Sequence, residues 1–245
     1  MPERIEGRNA VIEALRSGRE LERVFIARGV KHDASLDEIR ELATTASIPV
    51  TVVERAELDR ASERGHHQGV AAVAAEFVYA ALADVIARAE GKERSLVLLL
   101  DHVTDPGNLG AIIRSAEVAG AAGVVVAERR SAPVTTIVHK SSAGATAYLP
   151  VARVTNLVRA MEELKAAGFW VAGASEHATQ ALWDAPLDGR LVVALGAEGE
   201  GLSRLVAEHC DFLVGIPVNG RVSSLNVAQA ATVLAYEWVR RAQVG

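Results

Sequence analysis

Apolar positions along the chain keep two rhythms that alternate, one of period two or unbroken and one of three to four residues. G-R-N-A-V-I-E-A-L-R (7–16) predicts a helix burying Val11 and Leu15, and L-E-R-V-F-I-A (21–27) predicts a strand. A helix over 36–45, a strand over 49–53, a short helix over 57–61 and a strand over 69–75 follow, making a small α/β unit of residues 1–75. Residues 76–93, rich in alanine and charge, read as a linker or linking helix. S-L-V-L-L-L-D (95–101) is apolar at every position but its ends, as a strand buried on both faces should be. Helices over 108–120, 156–167 and 227–239 then interleave with strands over 123–127, 169–174, 191–195 and 212–215. Strands alternating with helices of this length predict an α/β domain over 94–245, its sheet mostly parallel and covered on both faces. Periodicity by itself suggests an open, doubly wound sheet.

Composition narrows the class. Half the residues are hydrophobic and 23% are charged, the balance of a globular protein, and no run of about twenty apolar residues suggests a membrane span. The charged N-terminus M-P-E-R-I-E-G-R-N does not read as a signal peptide, so a cytoplasmic location is expected. The single cysteine, Cys210, excludes an intrachain disulfide and disfavours a cysteine-built metal site. Net charge is −5, against broad nucleic-acid affinity, yet residues 1–31 carry seven Arg and Lys against five Glu, 7 − 5 = +2. That local excess suits one structured RNA, or a solvated helix of mixed charge. In G-H-H-Q-G (65–69) the adjacent histidines point apart and no third ligand is evident, so a polar turn competes with a metal site and no metal is expected.

Three strand-end loops carry the chemistry. D-H-V-T-D-P-G-N-L-G-A-I-I-R-S-A (101–116) leaves a buried strand, turns at Asp105-Pro106-Gly107 and enters a helix with Asn108 near its start. Arg114, in otherwise apolar company, is either an ion-pair partner or a functional cation. L-V-V-A-L-G-A-E-G-E-G-L-S (191–203) sets Glu198 among Gly196, Gly199 and Gly201, where backbone can approach a ligand closely. The spacing is not G-x-G-x-x-G and no Lys-Ser/Thr follows, so dinucleotide and P-loop chemistry are poorly supported. I-P-V-N-G-R-V-S-S-L-N-V (216–227) passes from a strand end into a helix, with Ser223 and Ser224 where N-caps belong. Each loop alone is equally an ordinary strand–turn–helix junction.

Together D-P-G-N-L-G-A-I-I-R-S-A, L-G-A-E-G-E-G-L-S and I-P-V-N-G-R-V-S-S-L-N-V-A-Q-A resemble the three motifs of the SpoU (TrmH) family of RNA 2′-O-ribose methyltransferases. The N-terminal G-R-N-A-V-I-E-A-L and H-Q-G-V resemble the L30e-like RNA substrate-binding domain some members carry. P-V-A-R-V-T-N-L (150–157) is most like the branch acting on guanosine of bacterial 23S rRNA. Ser223 departs from the acidic residue the family often has there. The resemblance implies a SPOUT-type parallel sheet with a deep C-terminal trefoil knot, a threading no periodicity would suggest. It implies S-adenosyl-L-methionine as cofactor, RNA as substrate (23S rRNA first, tRNA second) and a homodimer completing the active site. A catalytically silent RNA-binding or ribosome-assembly factor is the rival from another class.

By the same resemblance, Leu195, Gly196, Gly199, Ile216, Pro217 and Leu225 hold the cofactor, and Arg114, Asn108, Glu198, Ser224 and Asn226 form the catalytic set. Asn108 would orient the ribose, Glu198 would order Arg or loop donors, and Ser224 and Asn226 would fix the hydroxyl. The family's motif-one arginine is proposed as the base. Bringing a guanidinium from its ordinary pKa down to about 8 would cost on the order of 7 kcal/mol, whereas clamping a phosphate with its bidentate fork needs no shift.

Overall fold

The computed structural model describes residues 3–62 and 66–244. The chain divides into two compact units, Met1–Val78 with Val134–Lys140, and Tyr79–Pro133 with Ser141–Gly245.

In the first unit β1 (Arg4–Glu6), α1 (Arg8–Arg16), β2 (Leu21–Ala27), α2 (Ala34–Thr45), β3 (Val50–Val53), α3 (Arg55–Ala61) and β4 (Val70–Ala74) follow in order. The sheet order is β1-β4-β2-β3, with β2 and β3 parallel and the other pairs antiparallel. Strand β1 is too short to show an alternation, and only its pairing with β4 defines it. One sheet face buries Val24, Ile26, Val70 and Ala72 against Val11, Leu15, Leu36 and Ile39 of α1 and α2. The other is covered by α3, whose Leu58 sits on Ala27 and Ala71. Asp33 caps α2 by accepting from Leu36 N at 3.2 Å. Of the G-H-H-Q-G segment, Gly65 lies outside the described residues. His66 is exposed, whereas His67 is buried and sits 2.7 Å from Asp59 Oδ1 through Nε2. Gly69 N donates to His67 Nδ1 at 3.0 Å, so the proton sits on Nε2 and the ring is committed to holding the turn against α3.

The second unit begins earlier than the sequence suggested. Helix α4 (Leu82–Ala87) lies inside the segment read as a linker or linking helix, and it is more than a connection: Leu82, Val85 and Ala89 belong to the same buried cluster as Val97, Leu99 and Val125. Val85 lies so close to Gly123 that a Cβ there would meet it at 2.7 Å. Sparse apolar positions hid this packing, because a short helix needs only one buried face.

There follow β5 (Ser95–Leu100), α5 (Pro106–Val118), β6 (Gly123–Ala127), α6 (Thr136–Ser141), β7 (Val151–Val154), α7 (Leu157–Ala166), β8 (Trp170–Ala174), β9 (Arg190–Leu195), α8 (Arg204–Glu208), β10 (Phe212–Val214) and α9 (Val227–Val244). Of these, α6 falls almost wholly in the segment grouped with the first unit. The six strands, ordered β10-β8-β9-β5-β6-β7, are parallel throughout. Strand β5 is central and every residue of it is buried, as its unbroken apolar run requires. The sequence did not signal α6, β7 or α8, which are short and sit in segments with few apolar residues. Helix α9 is anchored at its far end. Arg94 lies over the Trp238 ring at 4.9 Å and donates to Trp238 O at 2.6 Å, and Trp238 Nε1 donates to Gly189 O at 3.0 Å. The buried Glu237 accepts from Arg240 and Arg241 at 2.8 Å, and the Arg240 hydrogen bond holds its carboxyl below the usual range. No helix of the described residues is long and apolar enough to cross a membrane.

A fragment beginning at Tyr79 should therefore be more stable than one beginning at Arg94. Losing Leu82, Val85 and Ala89 removes about 3–6 kcal/mol of burial, on the order of 10 °C in thermal midpoint. Equal midpoints for the two fragments would show that α4 contributes nothing to the core.

Candidate functional site

All six parallel strands point their carboxyl ends to one edge of the sheet, where α/β proteins place their ligands. At the ends of β8, β9 and β10 a cavity of about 610 Å³ opens, within the ~300–1,000 Å³ typical of ligand pockets. Its apolar wall includes Leu195, Leu202, Leu213, Ile216 and Leu225, and its polar rim includes Glu176, His177, Glu198, Glu200, Ser224 and Asn226.

The loop after β9 folds back on itself. Gly201 N donates to Ala197 O at 2.9 Å, and a Cβ on Gly196 would fall 2.0 Å from the Gly201 carbonyl, so nothing larger than glycine fits. Gly199 and Gly201 have φ of +82° and +68°, left-handed values that glycine takes without strain. This hairpin-like loop aims Glu198 at the neighbouring loops.

Loop one is capped by Asp105, whose Oδ1 accepts from Asn108 N at 2.7 Å, with Pro106 opening the helix. Asn108 is thus inside the first turn of α5, and its side chain, not needed as a cap, donates to Glu198 Oε1 at 3.0 Å. Asp101, at 1% exposure, accepts from Ser203 N at 2.7 Å and so ties the start of loop one to the end of loop two. Its other oxygen lies 2.7 Å from His102 Nδ1 without the alignment of a hydrogen bond. The sequence signal for Asp101 was an acid ending an otherwise unbroken apolar strand.

In loop three the cap is Asn226 rather than Ser223 or Ser224. Its Oδ1 accepts from Ala228 N at 2.9 Å and from Gln229 N at 3.4 Å, and Ala230 N bonds Asn226 O at 2.9 Å. Both serines are exposed and line the cavity two and three residues before the cap. With Asn226 Oδ1 held by the helix, Nδ2 faces outward and donates to Asn108 Oδ1 at 2.9 Å and to Glu198 Oε1. Asn108, Glu198 and Asn226, separated by up to 118 positions in the chain, thus form one closed hydrogen-bonded junction.

Of the residues singled out in the sequence, Leu195, Gly196, Glu198, Gly199, Ile216, Ser224, Leu225 and Asn226 line the cavity, and Asn108 reaches it through the junction. Pro217 is exposed and does not line it. Arg114 does not line it either. Its side chain is exposed on α5 with no hydrogen bond or ion pair to any described residue, so the ion-pair reading finds no partner among them. Glu176 and His177 were missed, although they follow a fourth strand end of the same edge. Cys210 is half-buried: burial pushes its thiol up to about 12, and its Sγ donates to Val206 O at 3.3 Å.

Comparison with known proteins matches this geometry to a family. The pattern of the SpoU rRNA Methylase family covers residues 95–236, and that of "RNA 2'-O ribose methyltransferase substrate binding" covers residues 4–80. YacO of Bacillus subtilis (strain 168), named for the TrmH family of tRNA/rRNA methyltransferases, is 44% identical over 239 residues, 96% of this chain and 94% of its own. Among solved structures, the SpoU methyltransferase AviRb of Streptomyces viridochromogenes in complex with AdoMet has a TM-score of 0.73 and 30% identity, covering 100% of this chain and 91% of that one. The AdoMet-bound rRNA methyltransferase of Sinorhizobium meliloti has a TM-score of 0.69 and 26% identity, covering 97% of this chain and 87% of that one. With both family patterns matched in order and the motif residues gathered at one edge of the sheet, the chain belongs to the SpoU (TrmH) family of RNA methyltransferases.

Proposed function

We propose that this protein transfers a methyl group from S-adenosyl-L-methionine to a ribose 2′-hydroxyl of RNA, with a guanosine of 23S rRNA as the first candidate and tRNA as the second. The carrying observation is the Asn108–Glu198–Asn226 junction at the rim of the cavity. A silent RNA-binding factor has no need of three side chains from three loops held in one hydrogen-bonded arrangement. The names of the matched SpoU rRNA Methylase family and of the Sinorhizobium meliloti rRNA methyltransferase support ribosomal RNA as first candidate, and a cytoplasmic enzyme is part of the same reading.

The cavity fits the cofactor in size and in charge. Glu176, Glu198 and Glu200 line it, a setting that favours the sulfonium and ammonium of S-adenosylmethionine and repels the phosphates of ATP or a dinucleotide. Leu195, Ile216 and Leu225 would pack the adenine, and the Gly196–Gly201 turn gives backbone access beside it. When bound, the cofactor supplies an electrophilic methyl group and leaves as a neutral thioether. The chain must then place the ribose in line and manage the hydroxyl proton. Asn108, held by Glu198 and by the capping Asn226, keeps one amide hydrogen for the ribose, and Ser224 offers a hydroxyl. Arg114 has all its donors free to clamp the phosphate beside the target ribose, with proton abstraction as its alternative role. A covalent adduct of the kind used to methylate ring carbons would need a thiolate, which Cys210 does not supply.

Arg114 stands outside the cavity of its own chain, which supports a homodimer in which one copy's Arg114 serves the other's cofactor. Val118 and Tyr236, 60% and 46% exposed on α5 and α9, supply apolar surface for it. These two helices pack together, with Ser115 Oγ and Thr232 Oγ1 2.7 Å apart. The trefoil knot expected of the family belongs to the same reading.

Three measurements test these points. In a deletion strain, a 2′-O-methyl mark should vanish from one site in 23S rRNA and return with the wild-type gene; loss from tRNA alone would move the substrate, and no loss anywhere would overturn the activity. Arg114→Ala should lower single-turnover methyl transfer by roughly 30- to 1,000-fold, about 2–4 kcal/mol, with cofactor affinity intact. Arg114→Lys should rescue poorly with an unshifted pH profile if the fork clamps phosphate, whereas a new titration would make it the base. Finally, Arg114→Ala and Asn226→Ala, each nearly inactive, should recover about a quarter of wild-type activity when refolded together, because heterodimers carry one intact composite site. Asn226→Ala forfeits a helix cap worth ~1 kcal/mol and should still fold. No recovery in the mixture would place the whole site in one chain.

A further inference from the structure

The sheet of the first unit has one face that its helices leave half open. Strand register places Arg4, Arg23, Phe25, Thr51, Val53 and Val73 on that face. Among the described residues the helix that covers it is α3, through Leu58 over Ala27 and Ala71, and Phe25 and Val53 remain half-buried beside it. There a second cavity of about 280 Å³ is lined by Arg4, Phe25, Val53, Glu57, Leu58 and Arg60. A cavity below ~300 Å³ is small for a complete small-molecule ligand and suits one flat ring.

The charges around it are arranged for a polyanion. Arg4 donates to Ala61 O at 3.0 Å, Arg23 to Thr51 Oγ1 at 3.4 Å and Arg60 to Ala56 O at 3.1 Å. These bonds hold each guanidinium in place while leaving most of its donors unused, and none of the three has a carboxylate partner among the described residues. RNA is read in its unpaired segments by such pairings of an aromatic ring with arginines, the ring taking a base face and the guanidinium groups the phosphates. The Glu57 carboxylate, on the cavity wall, accepts only a long bond from Glu54 N at 3.4 Å and can take a second from the exocyclic amine of a base.

We propose that this open sheet face is a subsite for one unpaired RNA base, stacked on Phe25 and flanked by Arg4, Arg23 and Arg60. It rests on the reading that RNA is the substrate, and it names how the first unit would grip that RNA. The occupant favoured is a base whose exocyclic amine meets Glu57, since uracil offers that carboxylate only its ring N3–H.

The test uses the full chain and deproteinised ribosomal RNA from the deletion strain. Phe25→Leu keeps apolar volume and removes the ring; KM for RNA should rise about tenfold or more, with kcat within twofold and S-adenosylmethionine affinity unchanged. Phe25→Tyr, which keeps the ring, should behave as wild type. Arg60→Ala, exposed on α3, should reduce the slope of log affinity against log salt by about 0.7, one single-strand phosphate contact. Unchanged KM in Phe25→Leu, or Phe25→Tyr as impaired as Phe25→Leu, would overturn the subsite. Should Phe25→Leu fail to fold, Arg60→Ala decides, and an unaltered KM and salt slope would refute the proposal. A short single-stranded RNA bearing one 2-aminopurine separates this inference from the activity itself. Its fluorescence should be quenched by the wild-type chain and not by Phe25→Leu, even if no RNA proves to be methylated.

Discussion

One amide holds the site together. Asn226 has a single carbonyl oxygen and a single amino group, and the start of α9 claims the oxygen through the N–H groups of Ala228 and Gln229. That leaves the amino group only one direction, toward Asn108 and Glu198. Orientation of the site is therefore inherited from orientation of a helix, and α9 is itself fixed at its other end by Arg94, Trp238 and the buried Glu237. An aspartate in place of Asn226 would cap the helix equally well and would set a carboxylate against Glu198, so the residue type answers both demands at once.

The parallel sheet explains why three distant motifs meet. Each strand delivers its following loop to the same edge, and β5 and β9 lie side by side with every register pair matched from Ser95↔Arg190 to Leu100↔Leu195. Rigid, fully buried strands beneath the loops fix where Asp101, Gly196 and the two motif turns begin. Asp101 then joins loop one to loop two by accepting from Ser203 N. The chemistry sits on loops, but the loops have little freedom left.

Charge divides the labour between the units. The second unit's cavity is rimmed by carboxylates and suits a cationic ligand, whereas arginines gather around the open sheet face of the first. An acidic protein of net charge −5 can engage RNA through such local excess without the general affinity that a basic surface would bring.

Sequence periodicity determined most of the elements, because burial on one face or two imposes a rhythm that any strand or helix of more than about five residues must keep. It marked the buried β5, the amphipathic α1, α2 and α7, and the helix opening at Val227. Motif resemblance to the SpoU family pointed to Asn108, Glu198 and Asn226, which the fold brings into one hydrogen-bonded junction. Short pieces were harder: β1 exists only through its pairing with β4, and α4, read as a linker or linking helix, buries too few side chains for the sequence to show that it packs into the second unit's core. Tertiary structure alone decided that Asn226, rather than Ser223 or Ser224, caps α9, since all three are competent caps and only helix phase chooses among them. It alone decided that Arg114 lies outside the cavity of its own chain while Asn108, six residues earlier, bonds Glu198 and Asn226 of the cavity lining. Six residues turn a helix through about 600°, so two residues of one motif face different neighbours, and which neighbours those are is settled by what the helix packs against.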